Sequence, residues 1–205
     1  MQFQLGSGIP SRNPTEEERD RARAVGVRQG DRSAFEALYR FYYEPLCDYV
    51  EYNIGDGNEA EDIVQNIFLR IWMKKEMWYP EISVRSYLYG AARFEIINTW
   101  RNRSVKRSTI EPIPYDSIST HQTPISEANP ERDHEIHELR KATNMCISLM
   151  PERQRMVFQL ARWHGLSYAE IAAVMEISKK TVEHQMGHAL RQLRQCLAAY
   201  RVTRS

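Results

Sequence analysis

A set of hydrogen-bond donors near the end of the chain shares one face of a predicted helix. After Ser178 apolar residues recur at helical spacing, and the opposite side carries Lys180, Thr181, His184, His188, Arg191 and Gln195. Such side chains donate to phosphate oxygens and to base edges, and a helix that carries them fits the major groove of duplex DNA. A helical hairpin with a solvated outer face has the same pattern and remains an alternative.

The residues just before this helix predict the turn that positions it. Ser167 and Glu170 have the spacing of a capping box, so they indicate a short helix that ends near Glu176. Ser178 is a suitable N-cap for the longer helix that follows. Two helices joined by so short a turn predict a helix-turn-helix, in which the second helix reads DNA.

Two outer faces in the first half of the chain are unusual because they combine aromatic or apolar groups with polar ones. One predicted helix presents Asp62, Gln65, Leu69 and Trp72. An exposed apolar pair between polar groups indicates a protein partner, although another helix of the same module would cover it equally well.

The next predicted helix presents Tyr87, Ala91, Phe94, Asn98 and Arg101, and a loop with Met77, Trp78 and Tyr79 precedes it. Aromatic rings stack on unpaired bases and arginine contacts phosphate, so this face predicts a platform for single-stranded nucleic acid. A contact with a neighbouring helix remains the alternative.

Other chemistry is disfavoured by what the chain contains. We find no nucleophile–base pair, phosphate-binding glycine loop or metal cluster, so we expect no enzyme activity, no cofactor and no metal. His184 and His188 are a metal half-site without an evident third ligand. The cysteines Cys47, Cys146 and Cys196 form no CxxC pair, which predicts neither a disulfide nor a zinc site and fits a reducing cytoplasm. The chain has no apolar run of membrane-spanning length and no secretory signal.

The elements that position these residues are all predicted to be helical. Capping patterns at Thr15, Ser33 and Asn58 open three helices, a fourth runs over about 86–103, and helical periodicity resumes near Glu138. The segment between, rich in proline, serine and threonine, reads as a linker. The formal charge of the whole chain is +1, but residues 111–138 hold seven acidic groups and one basic group, whereas 139–205 hold 11 basic and four acidic groups. An acidic connector therefore precedes a basic module that is suited to nucleic acid.

Three motifs in order resemble the extracytoplasmic-function (ECF) subfamily of RNA polymerase sigma factors. They are AEDIVQNIFLRIW, SYLYGAARFEIINTWRNR and LMPERQRMVFQLARWHGLSYAEIAAVMEISKKTVEHQMGHALRQLR, and the ending TVEHQMGHALRQLR is most similar to the Bacteroidota branch. The resemblance covers about residues 30–103 and 139–200. It implies an all-α chain of two small helical domains: a tail with a short helix (1–29), region 2 (30–103), a flexible acidic linker (104–138), a region 4 helix-turn-helix (139–200) and a tail (201–205).

The resemblance also implies partners and contact residues. Region 2 would bind the β′ coiled-coil clamp of core RNA polymerase through Asp62, Gln65, Asn66, Phe68, Leu69 and Trp72. It would hold the melted minus-ten element through Trp78, Tyr79, Arg85, Tyr87, Phe94, Asn98 and Arg101. Region 4 would rest on the β flap and read the duplex minus-thirty-five element through Ser178, Lys179, Lys180, Thr181, His184, Gln185, His188 and Arg191. An anti-sigma factor, commonly membrane-anchored, would hold the protein inactive.

Two residues depart from the family pattern. Asn66 stands where the family often has glutamate, which removes a charge from the clamp-binding face, and Glu176 occupies the turn where glycine is usual. If that turn has a positive φ, a residue other than glycine costs about 1 kcal/mol there.

The competing interpretation is a stand-alone regulator of duplex DNA whose N-terminal module serves as a dimerisation or sensor domain. The linker would either enter the polymerase cleft or act as a plain tether.

Overall fold

The computed structural model describes residues 14–107 and 130–202, and its regular elements in these ranges are helices. The beginning of the predicted N-terminal tail, most of the predicted linker and the last three residues lie outside the described residues. The all-α prediction is therefore confirmed for the part of the chain that the structure describes. No helix in this part is both long and apolar enough to cross a membrane.

The first module contains α1 (Pro14–Arg28), α2 (Arg32–Ile54), α3 (Gly57–Met73), a 3-10 turn (Lys75–Met77) and α4 (Val84–Arg107). The caps differ slightly from those predicted. Asp31 caps α2 by accepting from the N–H groups of Ser33 and Ala34, and Asp56 caps α3 by accepting from the N–H of Glu59. The predicted caps, Ser33 and Asn58, are therefore wrong by two residues each, because an aspartate just upstream takes the role.

The core of this module lies where α2, α3 and α4 meet. Leu38 and Leu46 of α2, Val64 of α3, and Leu88 and Ile96 of α4 are fully buried. Each such side chain stabilises the fold by about 1.5–3 kcal/mol through removal from water. The buried residues of α3 and α4 lie opposite the predicted outer faces of these helices, which fixes which side chains point outward.

Helix α1 is attached to this core through polar contacts as well as apolar ones. The buried carboxylate of Asp20 accepts hydrogen bonds from the hydroxyl of Tyr42 and, at 2.9 Å, from the guanidinium of Arg23. Arg23 also lies 2.8 Å from Glu16. A buried carboxylate requires such partners, because an unpaired charge away from water is strongly destabilising.

The second module contains α5 (Pro130–Ser148), α6 (Glu152–Arg162), α7 (Tyr168–Met175) and α8 (Lys179–Val202). The capping box of Ser167 and Glu170 is confirmed, and Ser178 caps α8 by accepting from the N–H of Thr181 at 3.1 Å. Helix α4 continues to Arg107 and α5 begins at Pro130, so each helix extends into the predicted linker of residues 104–138.

A disulfide joins Cys146 of α5 to Cys196 of α8, with their Cα atoms 5.8 Å apart. The prediction that this chain forms no disulfide is wrong. Fifty residues separate the two cysteines in sequence, but the packing of α5 along α8 brings their Cα atoms within the usual bridging distance. Cys47 is free and half-buried, and burial is the main reason that the pKa of its thiol is raised to about 11.

The two modules contact each other directly. Arg85, at the start of α4, donates from Nη1 to the backbone oxygen of Gly165 at 2.9 Å. Ser83 donates to Oε1 of Glu170 at 2.7 Å, so the glutamate that closes the capping box of α7 also holds the first module. The N-terminal end of α4 is therefore bound to the helix-turn-helix.

A buried histidine completes this contact. Nδ1 of His164 lies 3.0 Å from the hydroxyl of Tyr89, and its ring packs edge-on against the ring of Tyr49. Burial, and to a lesser extent the positive charge of Arg85, lower the pKa of His164 to about 3. The imidazole is therefore neutral at neutral pH, and its Nδ1 shares a hydrogen bond with the tyrosine hydroxyl.

Candidate nucleic-acid and protein interfaces

An aromatic cavity of about 430 Å³ lies between the end of α3, the loop that follows it and the outer face of α4. Its volume is at the small end of the about 300–1,000 Å³ range of small-molecule sites. The cavity is lined by aromatic, apolar and charged side chains: Ile67, Arg70, Ile71, Lys74, Met77, Trp78, Tyr79, Tyr87, Ala91, Phe94 and Glu95. Rings and cations around one opening suit a nucleobase and its phosphate.

The rim of this cavity is exposed and aromatic. Phe94 is 62% exposed and Tyr79 is 69% exposed, whereas Tyr87 is partly covered because its ring packs against Trp78. Asn98 and Arg101 continue along the same side of α4 toward its C-terminal end. The structure thus places five of the seven residues of the predicted minus-ten set on one continuous surface.

The other two residues of that set are buried. Trp78 is 3% exposed and forms the floor of the cavity, so it supports Tyr87 rather than presenting its own ring. Arg85 is 8% exposed, because its side chain turns toward Gly165 of the second module. We expected Trp78 and Arg85 to be presented on this surface, but both are buried while the two modules are in contact.

Sequence reasoning missed three cations at this site. Arg70 in the last turn of α3 and Lys74 directly after the helix line the cavity, and Arg70 is held by an ion pair with Glu95 at 2.6 Å. The guanidinium of Arg28 in α1 lies over the ring of Tyr79, 5.3 Å from its centroid. The i, i+4 spacing of Arg70 and Lys74 at the edge of the buried face of α3 was an available signal. Nothing in the sequence linked Arg28 to the loop.

The DNA-reading face predicted for α8 is open to solvent. Lys179, Lys180, His184, His188 and Arg191 are exposed, and the buried side of the helix consists of apolar residues. Ser178 and Thr181 differ from the rest of the predicted set, since their hydroxyls bond to each other at 2.8 Å at the helix start. Gln185 lies nearer the core at half-buried depth.

The two histidines of this face lie side by side, with 3.3 Å between their Nε2 atoms. Two nitrogens are an incomplete ligand set for zinc. Within residues 14–107 and 130–202, no three histidine, cysteine, aspartate or glutamate side chains lie together so as to hold a metal ion. The pair therefore belongs to the predicted DNA-reading face of α8.

The outer face predicted for α3 is present with two changes. Asp62, Gln65, Asn66 and Leu69 are exposed, and Leu69 keeps 53% of its surface in water. Trp72 is half-covered, because its ring packs on Phe35 at 4.9 Å and beneath the amino group of Lys75 at 5.0 Å.

Phe68 is buried, with 1% exposure, against the rings of Phe35 and Tyr39. The prediction that Phe68 is presented to a partner is therefore corrected: two aromatic residues of α2 extend the core to this side of α3. The remaining surface, which we call the α3 face, consists of Asp62, Gln65, Asn66, Leu69 and Trp72.

Comparison with known families follows the division into two modules. Residues 38–105 match the family described as Sigma-70 region 2, and residues 140–193 match the family described as Sigma-70, region 4. The region 2 match runs from within α2 almost to the end of α4, and the region 4 match runs from within α5 to Leu193 of α8, so they contain the cavity and the predicted DNA-reading face of α8.

Curated relatives are similar over most of their own length. The chain is 25% identical to the ECF RNA polymerase sigma factor SigK of Mycolicibacterium vanbaalenii over 177 residues, which is 83% of this chain and 85% of the relative. It is 27% identical to the ECF RNA polymerase sigma-E factor of Escherichia coli over 169 residues, 80% and 86% of the two chains.

Solved structures show the same fold. CnrH, solved in complex with the cytosolic domain of CnrY, superposes with a TM-score of 0.62 at 20% identity and covers 88% of this chain and 98% of its own. The sigma factor RpoE of Bartonella quintana, solved with the anti-sigma factor NepR, superposes with a TM-score of 0.65 at 17% identity, covering 80% and 96%.

A helical module that matches Sigma-70 region 2, followed by a helix-turn-helix module that matches region 4, defines a promoter-recognition subunit. The chain belongs to the sigma-70 family of RNA polymerase sigma factors and is of the ECF type. It binds core RNA polymerase and promoter DNA to direct transcription initiation. The match to region 2 is contrary to the competing interpretation of the N-terminal module as a dimerisation or sensor domain.

Proposed function

We propose that residues 30–103 act as region 2 and hold one unpaired base of the minus-ten element in the aromatic cavity. The observation that carries the proposal is the cavity of about 430 Å³ with exposed rings at its rim. A base of duplex DNA is stacked and paired, so only a melted strand offers a face to Phe94 and Tyr79. Each base stacked on a ring contributes about 1–3 kcal/mol, which favours the melted state.

Phosphates of the same strand would follow the cations at the edges of the cavity. Arg101 continues the surface along α4, and Lys74 stands at the end of α3. Arg85 is held by Gly165 in the observed arrangement, so its contribution to DNA requires the two modules to separate first. The charge of Arg85 then becomes available at the N-terminal end of α4.

A leucine substitution at Phe94 tests this proposal. Phe94→Leu keeps an apolar side chain but removes the ring, so we expect holoenzyme to bind single-stranded minus-ten DNA about 5- to 100-fold more weakly. The measurement is a fluorescence anisotropy titration with labelled single-stranded oligonucleotide. Phe41→Leu is the matched control, because Phe41 is an exposed aromatic residue of the same module that does not line the cavity. Equal affinity of wild type and Phe94→Leu would contradict the proposal.

For residues 139–200 we propose that α8 reads the duplex minus-thirty-five element. The supporting observation is the exposed row of Lys180, His184, His188 and Arg191 after a capped turn. Arginine and lysine donate to guanine edges and to phosphates in the major groove. Because Ser178 and Thr181 bond to each other, we assign them to positioning the start of α8. The same domain would rest on the β flap of the polymerase.

The α3 face is our proposed contact with the β′ clamp. Leu69 supplies exposed apolar surface at its centre, and Asp62, Gln65 and Asn66 supply a polar surround. Apolar surface within a polar rim is typical of protein interfaces. Phe68 is excluded from direct contact by its burial and instead supports the face from beneath.

Regulation by an anti-sigma factor is also part of the proposal. Its support is the fold similarity to RpoE of Bartonella quintana, which was solved with the anti-sigma factor NepR. Such a partner, membrane-anchored or soluble, would cover polymerase-binding surface. We further propose that the protein works in the cytoplasm as a specificity subunit without its own catalytic site. Residues 104–138 would connect its two domains. The ending TVEHQMGHALRQLR supports membership of the Bacteroidota branch.

A further inference from the structure

Most glycines of the described residues have a structural reason. Three have a positive φ, which favours glycine; these are Gly30, Gly55 and Gly165. Gly57 is the first residue of α3 and does not lie in the interior of the helix. Gly26 lies inside α1, where a Cβ atom would come within 2.6 Å of the Cβ of Ala34. Close packing of α1 on α2 therefore requires a glycine at that position.

Gly90 and Gly187 have no such reason. Each lies inside a helix, and a Cβ atom built on either would have no neighbouring atom within 4 Å. Glycine inside a helix is destabilising relative to alanine, because it loses more backbone entropy on folding. Nothing within the described protein compensates for that loss at these two positions.

Both glycines occupy the same place relative to side chains proposed to contact DNA. Gly90 lies three residues after Tyr87 and four before Phe94, and Gly187 lies three residues after His184 and four before Arg191. Residues three and four apart are neighbours on a helix surface. Each glycine therefore lies between two proposed DNA contacts, one pair on α4 and one pair on α8.

We propose that Gly90 and Gly187 are the points at which promoter DNA comes closest to the helix backbone. At Gly90, the missing side chain lets the unpaired strand lie against α4 between the rings of Tyr87 and Phe94. At Gly187, it lets α8 enter the major groove deeply enough for His184 and Arg191 to reach base edges together. Glycine is the residue that permits close backbone approach to a ligand. The inference rests on the proposed function of the two faces.

Alanine substitutions separate this role from a structural one, because the two roles predict opposite signs. Gly90→Ala and Gly187→Ala should each raise the melting temperature of the full chain by about 2–4 °C, since alanine favours the helix and its Cβ meets open space. Each should nevertheless weaken DNA binding by about tenfold. Leucine at the same positions should stabilise similarly and weaken DNA binding further, because it is larger.

The two variants should also fail on different DNA. With holoenzyme and a promoter fragment recovered by wild-type run-off transcription, Gly90→Ala should lose affinity for the pre-melted minus-ten strand and Gly187→Ala for the duplex minus-thirty-five element. Core polymerase affinity should be unchanged in both. Glu44→Ala, at an exposed position of α2, is the control for adding alanine to a helix surface.

Alanine variants that are stabilised and bind both DNA elements like wild type would overturn the inference. A lowered melting temperature would do the same, because it would reveal a structural need for glycine. If the proposed function were wrong, the wild-type protein itself would give no specific start sites with core polymerase. The inference instead concerns weaker DNA binding by the glycine variants than by an active wild type.

Discussion

The turn between α7 and α8 carries a strained glutamate whose replacement has a calculable effect. Glu176 has φ 55° and ψ 45°, and it is the one residue other than glycine with a positive φ in the described part of the chain. The left-handed conformation costs about 1–2 kcal/mol for a residue with a Cβ atom. Glu176→Gly removes this strain but adds about 0.5–1 kcal/mol of backbone entropy to the unfolded state.

The net expectation is that Glu176→Gly raises the free energy of unfolding by about 0.5–1 kcal/mol. The measurement is urea denaturation of the full chain followed by circular dichroism, with the slope of the transition required to stay constant. Glu176→Ala should change stability little, because alanine keeps the Cβ atom that causes the strain.

Glu183→Gly is the matched control, since it makes the same chemical change inside α8 on an exposed surface. It should lower the free energy of unfolding by about 0.5–1 kcal/mol. If Glu176→Gly were destabilising by a similar amount, the strain at the turn would not be a significant energetic term, and the reasoning would be refuted.

Three further predictions concern the faces and the disulfide. Leu69→Ala should weaken binding to core polymerase by about tenfold, measured by fluorescence titration, because it removes exposed apolar surface from the α3 face; unchanged affinity would contradict that role. Replacing both Lys180 and Arg191 by alanine should weaken minus-thirty-five duplex binding and leave core binding intact, and equal loss of both would refute the division. Reducing the Cys146–Cys196 disulfide should lower the free energy of unfolding of region 4 by about 2–4 kcal/mol in urea denaturation with and without reductant, and the double serine variant should match the reduced protein.

Much of the architecture could be predicted from local patterns. The capping box of Ser167 and Glu170 and the cap at Ser178 are interactions between residues three apart, so the sequence contains all that they need. The same holds for the buried faces of α3, α4 and α8, which follow from the helical period. Because the family usually has glycine in this turn, a positive φ at Glu176 was one possibility, and the structure has it.

What could not be predicted depends on contacts between distant residues. The family resemblance assigned Phe68 to the polymerase contact, and periodicity does not give the width of the core, which Phe35 and Tyr39 extend to that side. The disulfide depends on how close α5 and α8 lie, and Cα separation cannot be obtained from spacing in sequence.

Helical periodicity does not show whether the two modules contact each other, for the same reason. Arg85 had the appearance of a DNA-binding residue, and only the structure reveals that it donates to Gly165 in the second module. Likewise, His164 gave no sign of its partner Tyr89. Interactions between residues of two separate modules leave no local pattern in the sequence.

The measurement that tests the central claim most directly is run-off transcription with core RNA polymerase from a related bacterium on a library of genomic promoter fragments, with and without this protein. The account predicts new, discrete start sites that share two upstream elements, one read by region 2 and one by region 4. Absence of new start sites together with absence of binding to core polymerase would contradict the account.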